Sequence, residues 1–219
     1  MAKPRQKTAV LISGRGSNLA ALIEAAKGDR YPAAIALVVA DNPEARGLIH
    51  AHSAGISAAV VDRQAFATKL EFDAALDDML YSSGIELVCL AGFMQLLSPE
   101  FVNAWRDRIL NIHPSLLPAF PGLHTHERAL AAGVRVHGAT VHFVRPEVDA
   151  GPIVAQGVVP VLPRDTPEDL AERVLAVEHR LYPMALKLVA GGRATVAGER
   201  VVIEGERPDP DETLLSPTD

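Results

Sequence analysis

Apolar residues in the first hundred positions form short runs, and the segments between these runs have helical spacing. The runs are rich in Val, Ile, Leu and Ala and are continuous, which is typical of strands buried on both faces. They predict four strands, at residues 8–13, 34–40, 57–61 and 86–92. The segment after the first run has apolar residues at i, i+3, i+4 and i+7 of a helix, namely Leu19, Leu22, Ile23 and Ala26.

This alternation of strands and helices predicts a parallel sheet that helices cover on both faces. Right-handed crossovers then give a doubly wound, mostly parallel and twisted α/β sheet. A fifth strand is predicted at 108–112. Two longer strands, at 134–144 and 152–161, are predicted to be the antiparallel strands of the C-terminal half, and Pro146 and Gly151 mark the loop between them.

A long helix is predicted after Thr166, because Thr166 is a good N-cap and Pro167 suits the first helical position. Pro183 is expected to kink or end this helix just after residues 178–179. Its predicted apolar face consists of Leu170, Val174, Val177 and Leu181.

The length of 219 residues is enough for one core or a tight pair of lobes. Residues 1–190 are expected to form a single domain, and residues 191–206 a C-terminal hairpin that turns near Gly198. Residues 207–219 are rich in proline and acidic residues, so this tail is expected to be disordered.

Composition and charge make some classes of binding partner unfavourable. A net charge of −6 and a pI near 5.7 disfavour nucleic acid and anionic membranes, so local donors must meet any anionic substrate. The N-terminus has no apolar leader and the chain no long apolar span, so the cytoplasm is the expected compartment. The single cysteine, Cys89, excludes an intramolecular disulfide and is expected to be a buried, unreactive thiol.

The first strand ends in a glycine loop, SGRGSNLAALI, residues 13–23. Gly14 and Gly16 permit a sharp turn, and the free N–H groups at the start of the next helix can hold a phosphate. Leu19 replaces the third glycine of a dinucleotide fingerprint, and no Walker A motif is present. A single phosphate is therefore favoured, with Arg15 adding positive charge. A dinucleotide whose ribose binds Asp41, or a tight turn without ligand, remains an alternative.

Five of the eight histidines lie within 30 residues. A metal site is one interpretation, with His124, His126, His142 and Asp149 as ligands, but their spacing matches no known ligand pattern. No metal is therefore predicted. The five clustered histidines are His113, His124, His126, His137 and His142.

His113 follows the end of the predicted fifth strand, where open α/β sheets bind their ligands. Asn111 lies two residues earlier and therefore on the same strand face. Asp149, in the loop EVDAGP, either caps its own turn or orients His113 and keeps it charged. An amide donor, an imidazole and a carboxylate suit a reaction that passes through a tetrahedral oxyanion with proton transfer. Neither a serine nor a cysteine nucleophile is implied, which favours direct transfer between two bound substrates.

Taken in order, six segments resemble the phosphoribosylglycinamide formyltransferase family. They are SGRGSNLAAL, LAGFMQLLSPEFV, LNIHPSLLPAFPGLHTHERAL, HGATVHFV, DAGPIVAQ and VLAVEHRLYP, and the resemblance runs from about residue 7 to beyond 190. It implies the Rossmann-like formyltransferase fold and formyl transfer from 10-formyltetrahydrofolate, without a metal, to the amine of 5-phosphoribosylglycinamide in purine biosynthesis. The N-terminal half would then bind the nucleotide, and the C-terminal half would complete the folate site.

The resemblance also implies a role for each matching residue. The catalytic residues are Asn111, His113 and Asp149. The nucleotide-binding residues are Gly16, Ser17, Asn18, Leu19, Ala20, Leu175, Ala176, Val177 and Glu178. The folate-binding residues are Lys69, Met94, Gln95, Leu96, Leu97, Asn111, Arg145, Pro146, Glu147, Val148 and Asp149. Lys69 stands where arginine is frequent and Gln95 where a basic residue is common, so contacts to the folate tail should differ.

Two neighbouring families share the Asn-x-His and Asp residues. Methionyl-tRNA formyltransferases add a C-terminal nucleic-acid-binding domain, for which this acidic chain has no room. Formyltetrahydrofolate hydrolases carry an N-terminal regulatory domain, whereas the first strand here begins within ten residues. A formyltetrahydrofolate hydrolase, a nucleotide- or folate-binding module without turnover, and an NAD-dependent oxidoreductase are the alternative functions. The expected partners are small-molecule substrates, with neither nucleic acid nor membrane, and the expected state is a monomer or homodimer.

Overall fold

The computed structural model of the chain describes residues 4–205 and residue 216. Seven strands form one sheet, and two further strands form a separate hairpin. The strands are β1 Gln6–Ile12, β2 Ala33–Ala40, β3 Ser57–Val60, β4 Leu87–Leu90, β5 Ile109–His113, β6 Val136–Phe143, β7 Ile153–Pro160, β8 Ala194–Ala197 and β9 Arg200–Ile203. The helices are α1 Ser17–Ala26, α2 Leu48–Ser53, α3 Lys69–Ser82, α4 Pro99–Ala104, α5 Thr125–Ala131 and α6 Pro167–Ala190.

The order of the large sheet is β3-β2-β1-β4-β5-β6-β7. Strands β1 to β5 pair in parallel, while β6 is antiparallel to both β5 and β7. The chain winds outward from β1 to β3 and then returns to the other side of β1 with β4. This reversal opens a crevice at the carboxyl ends of β1 and β4, where doubly wound sheets bind ligands. The predicted doubly wound fold is confirmed.

Helices cover both faces of the sheet, because every central strand buries apolar side chains on both sides. One core cluster joins the sheet to α1 and α6, and the other joins it to α3 and α4. Cys89 in β4 is fully buried, and burial raises the pKa of its thiol to about 12. The prediction of a buried thiol is therefore confirmed.

The long helix α6 starts as predicted, and Pro183, which was expected to kink or end it, does not end it. Thr166 caps the helix through a reciprocal pair of hydrogen bonds with Asp169. The helix then continues through Pro183 to Ala190. An internal proline costs about 3 kcal/mol because one helical hydrogen bond is lost. Burial of the turns beyond the proline offsets this cost, and these turns contribute Ala185, Leu186, Val189 and Ala190 to the core.

Tyr182 ties this helix to the centre of the sheet. Its side chain is fully buried, and its hydroxyl lies 3.0 Å from the carbonyl oxygens of both Leu90 and Leu110. This contact ties the helix to the carboxyl end of β4, which borders the crevice, and to the beginning of β5.

The C-terminal hairpin β8–β9 turns at Gly198, as predicted. The predicted disordered tail, apart from residue 216, lies outside the described residues. Within residues 4–205 and 216, no helix combines the length and the apolar character that a membrane span requires.

Candidate active site

Strand β5 delivers two polar side chains to the crevice edge of the sheet. Asn111 and His113 lie on the same face of the strand, and the His113 side chain is almost entirely buried. A loop then leaves the strand, and the carbonyl oxygen of Phe120 in this loop lies 3.0 Å from Nε2 of His113. The backbone of Phe120 itself has a left-handed φ of 53°.

Asp149 lies against the other nitrogen of the same imidazole. Its Oδ1 is 3.3 Å from Nδ1 of His113, and its Oδ2 accepts a 2.7 Å hydrogen bond from the backbone N–H of Gly122. Asp149 therefore does not merely cap its own turn, since its carboxylate spans to another loop. Both ring nitrogens of His113 face acceptors, and both acceptors are satisfied when the ring carries two protons.

The loop that carries Asp149 is pressed closely against the end of β6. Asp149 itself has a left-handed φ of 51°, and Gly151 follows with a φ of 120°. A Cβ atom at Gly151 would overlap the carbonyl oxygen of Phe143. The chain therefore needs glycine at this position for the loop to approach the strand and aim the carboxylate at β5.

Asn111 has a partner that the sequence analysis did not assign. Its Nδ2 lies 3.3 Å from Nε2 of His142, which is its direct partner in the antiparallel β5–β6 register. The His142 ring is buried, and its Nδ1 lies 3.0 Å from the carbonyl oxygen of Phe143. Burial lowers the pKa of His142, against the opposing effects of the Phe143 carbonyl and the Asp149 carboxylate.

The three predicted catalytic residues open into a cleft of about 710 Å³. Its rim is apolar, because large hydrophobic side chains stand exposed there: Met94, Leu96, Leu123 and Val148. The cleft is lined by residues 92–96, 111–114, 122–127, 148 and 149.

Two smaller pockets adjoin this cleft through shared lining residues. One has a volume of about 300 Å³, is lined by the glycine loop, and shares Gly92 and Met94 with the cleft. The other, of about 130 Å³, is lined by residues 90, 93, 95–97, 102, 111, 142 and 144–149. The trio of Asn111, His113 and Asp149 thus lies beside both a glycine-loop pocket and an apolar cleft.

The glycine loop forms the predicted turn before a helix. Gly16 has a φ of 73° and precedes the first residue of α1. Asn18, in the first turn of α1, donates a 2.6 Å hydrogen bond from Nδ2 to Oε2 of Glu178 on α6. Burial raises the pKa of Glu178, while the hydrogen bond from Asn18 acts in the opposite direction.

The structure brings together some of the residues predicted to bind the nucleotide and not others. Gly16, Ser17 and Asn18 line the 300 Å³ pocket, and Glu178 reaches them through Asn18. Leu19 is instead a core residue. Leu175, Ala176, Val177 and Ala20 are not among the described residues that line the cleft or these two pockets.

Most of the predicted folate residues line the cleft or the 130 Å³ pocket, but Lys69 and Arg145 direct their charges elsewhere. The ammonium of Lys69 lies 3.0 Å from Asp73, one turn further along α3. The guanidinium of Arg145 pairs with Asp107 at 2.8 Å and with Glu199 of the hairpin at 3.2 Å. Lys69 is absent from the described residues that line the cleft, and Arg145 anchors the base of the Asp149 loop.

Gln95, another predicted folate residue, hydrogen-bonds to Asp41 at 2.7 Å. The same buried carboxylate accepts hydrogen bonds from Ser13 and Asn42, both at 2.8 Å. Ser13 in turn accepts a hydrogen bond from the backbone N–H of Met94. Both oxygens of Asp41 are therefore engaged, which removes the feature that favoured a dinucleotide ribose.

The histidines considered as metal ligands point to different partners. His124 is exposed and lies 3.4 Å from Glu127, whereas His142 contacts Asn111. In the part of the chain that the structure describes, no three His, Cys, Asp or Glu side chains lie close enough to hold a metal ion.

The sequence model of the family described as formyl transferase matches residues 6–186. This chain belongs to the formyl transferase family. It is 43% identical over 201 residues to a phosphoribosylglycinamide formyltransferase of Haemophilus influenzae, covering 92% of this chain and 95% of that protein. It is 49% identical to the crystal structure of glycinamide ribonucleotide transformylase 1 from Symbiobacterium toebii, with a TM-score of 0.88 over 91% of this chain and 94% of that one.

A larger relative is the trifunctional purine biosynthetic protein adenosine-3 of Gallus gallus. This chain is 52% identical to it over 190 residues, which are 87% of this chain and 19% of that protein. The chain thus spans about a fifth of this relative's length. The matched stretch of residues 6–186 contains the trio, the glycine loop and all but the last four residues of α6.

Three contacts of this family member escaped the sequence analysis: those of His142, Asp41 and the Phe120 carbonyl. His142 and Asp41 had been considered, but for a metal and for a ribose. Their actual partners lie 31 and 54 residues away along the chain, at Asn111 and Gln95. Pairing β5 with the strand predicted at residues 134–144 would have indicated the contact between Asn111 and His142. The register of these two strands, however, is known only from the folded sheet.

Proposed function

We propose that this protein transfers a formyl group from 10-formyltetrahydrofolate to the amine of 5-phosphoribosylglycinamide, yielding formylglycinamide ribonucleotide and tetrahydrofolate. The observation that carries the proposal is the position of Asn111, His113 and Asp149, in one cleft that adjoins a glycine-loop pocket. Two relatives, a phosphoribosylglycinamide formyltransferase and a glycinamide ribonucleotide transformylase, support the same activity. Purine biosynthesis in the cytoplasm, by a monomer or homodimer that needs no metal, is the setting that we infer.

The two substrates suit the two kinds of surface. A phosphate group is stabilised by the free N–H groups at the start of α1, which border the 300 Å³ pocket. The apolar rim of the main cleft suits the flat ring system of a folate, with a few polar groups to orient it. Glu178, next to Asn18, then lies on the ribose side of the nucleotide.

In the proposed reaction the amine of the nucleotide attacks the formyl carbon, and the formyl oxygen becomes an oxyanion. The Asn111 amide and the His113 imidazolium donate hydrogen bonds to this oxygen. The new C–N bond forms, the bond to the folate nitrogen breaks, and a proton passes from the amine to that nitrogen. Asp149 holds His113 and assists the proton transfer.

His113 must exchange one partner during this reaction. Its Nε2 faces the carbonyl of Phe120 at 3.0 Å. The formyl oxygen would replace that carbonyl, while the contact between Nδ1 and Asp149 is retained. Each positioned donor contributes roughly 10²–10³ in rate.

The test mixes the purified protein with glycinamide ribonucleotide and a 10-formylfolate, and follows deformylated folate by absorbance. Transfer that requires both substrates supports the proposal. Deformylation without the nucleotide would instead indicate a hydrolase, and tight nucleotide binding without turnover would indicate a binding module.

His113→Ala should lower turnover by roughly 10²–10³-fold while folding and nucleotide binding persist. His52→Ala, at an exposed histidine of α2, is the matched control and should change nothing. Near-normal turnover of His113→Ala would refute the catalytic assignment.

A further inference from the structure

We propose that His142 is a positioning residue that fixes which way the side-chain amide of Asn111 faces. The inference rests on the proposed function, because it concerns Asn111 as a donor to the oxyanion. His142 is 2% exposed and lies directly opposite Asn111 in the β5–β6 register. It therefore acts on the reaction through Asn111.

The tautomer of His142 follows from its backbone partner. Nδ1 lies 3.0 Å from the carbonyl oxygen of Phe143, and a carbonyl can only accept, so Nδ1 carries the proton. In the neutral ring, Nε2 then has a lone pair and must accept.

The surroundings of the ring favour this neutral form. Burial is the largest influence and lowers the pKa of His142, and the charge on His113 lowers it further. The carbonyls of Phe143 and Ala150 and the carboxylate of Asp149 act in the opposite direction. These groups and the amide of Asn111 are the polar and charged groups that act on the ring.

A lone pair on Nε2 decides the orientation of the facing amide. The Nδ2 atom of Asn111 lies 3.3 Å from Nε2, so one amide N–H is held by His142. A half-turn of the amide would bring Oδ1 against that lone pair, and the two acceptors would repel each other. The second N–H of Asn111 is consequently free to donate into the cleft.

Loss of this lone pair would disable the donor. Without an acceptor at Nε2, the amide can adopt both orientations, and in one of them Oδ1 faces the developing oxyanion. A protonated His142 would favour that unproductive orientation, because its Nε2–H would require an acceptor. The predicted consequence is a lower kcat with little change in substrate affinity.

The first test is a long-range ¹H–¹⁵N correlation spectrum of the ¹⁵N-labelled protein near neutral pH. It should report His142 as the neutral ring protonated on Nδ1. A ring protonated on Nε2, or an imidazolium, would overturn the inference. This spectrum requires neither turnover nor a variant, so its outcome is independent of whether the proposed function holds.

The second test is a double-mutant cycle. His142→Phe should lower kcat by roughly 10- to 100-fold, with both KM values nearly unchanged. This reduction should not exceed the one that results from removing an oxyanion donor outright. In an Asn111→Ala background the same substitution should change kcat by less than about twofold, because there is no amide left to orient. Equal effects of His142→Phe in both backgrounds would show that His142 does not act through Asn111. If His142→Phe fails to fold, the spectrum of the unmodified protein still decides the inference.

Discussion

Exchange of Asp149 for asparagine should change the protonation of His113 without changing the shape of the site. The backbone N–H of Gly122 donates to Oδ2 at 2.7 Å, so this position must remain an oxygen in the variant. The amide nitrogen then takes the other position, 3.3 Å from Nδ1 of His113. Because an amide N–H can only donate, Nδ1 must become an acceptor.

The variant therefore holds His113 as a neutral ring with its single proton on Nε2. That proton still donates to Phe120 or to the formyl oxygen, but a neutral donor forms about half as strong a hydrogen bond as a charged one. The carboxylate that we propose to assist proton transfer is also lost. Removal of general acid–base assistance lowers the rate by roughly 10²–10⁴-fold, which corresponds to about 3–5 kcal/mol in the activation barrier.

The assay compares kcat and both KM values of Asp149→Asn with those of the unmodified protein, together with thermal unfolding. We expect kcat to fall within the stated range while the KM for the nucleotide and the thermal midpoint remain close to their original values. Asp29→Asn, which makes the same chemical change at an exposed position, is the control. Turnover of Asp149→Asn within about threefold of the original would refute this account of the His113–Asp149 pair, because the loss expected for general acid–base catalysis is much larger.

Three further substitutions test the fold around the site. Tyr182→Phe removes a buried hydroxyl that contacts two strand carbonyls, and should lower the free energy of unfolding by about 1–3 kcal/mol in urea titrations. The control, Tyr81→Phe at a half-exposed ring, should lower it by less than about 0.5 kcal/mol. Glu178→Gln keeps the acceptor for Asn18 but removes a buried carboxyl whose pKa is raised by burial. Because the stability linked to such a raised pKa is lost as pH rises through it, the thermal midpoint of the glutamine variant should increasingly exceed that of the original protein toward higher pH; equal midpoints throughout a pH series would contradict this. Gly138→Ala places a Cβ against the carbonyl oxygen of Gly157 in the neighbouring strand, so urea titrations should show a loss of about 1–3 kcal/mol from overpacking.

The strands were predictable because burial on both faces leaves a continuous apolar run in the sequence. The predicted strand at 86–92 nevertheless shortens to Leu87–Leu90, since Gly92 already adopts a φ of 69° at the edge of the cleft. The extent of helix α6 beyond Pro183 was not predictable, for a different reason. The local cost of Pro183 is visible in the sequence, whereas the burial beyond it that outweighs this cost arises only from packing against the sheet.

For charged residues, too, the sequence shows which residue stands at a position, whereas the tertiary structure decides which partner it contacts. Lys69 was expected to contact the folate, yet its ammonium is 3.0 Å from Asp73, which lies one helical turn away on the same helix. Arg145 likewise pairs with Asp107 and Glu199. Long flexible side chains choose among several acceptors, and the sequence gives no distance by which to rank those acceptors.

By itself, the sequence determined the order of the strands, the turn at the start of α1 and the delivery of Asn111 and His113 by one strand. These features depend on neighbouring residues, through strand periodicity and glycine conformation. Only the tertiary structure decided that Asp149 reaches His113, that Glu178 reaches Asn18 across 160 residues, and that His142 faces Asn111. Each of these contacts joins separate elements, so it depends on sheet register and helix packing, which no single segment of the chain specifies.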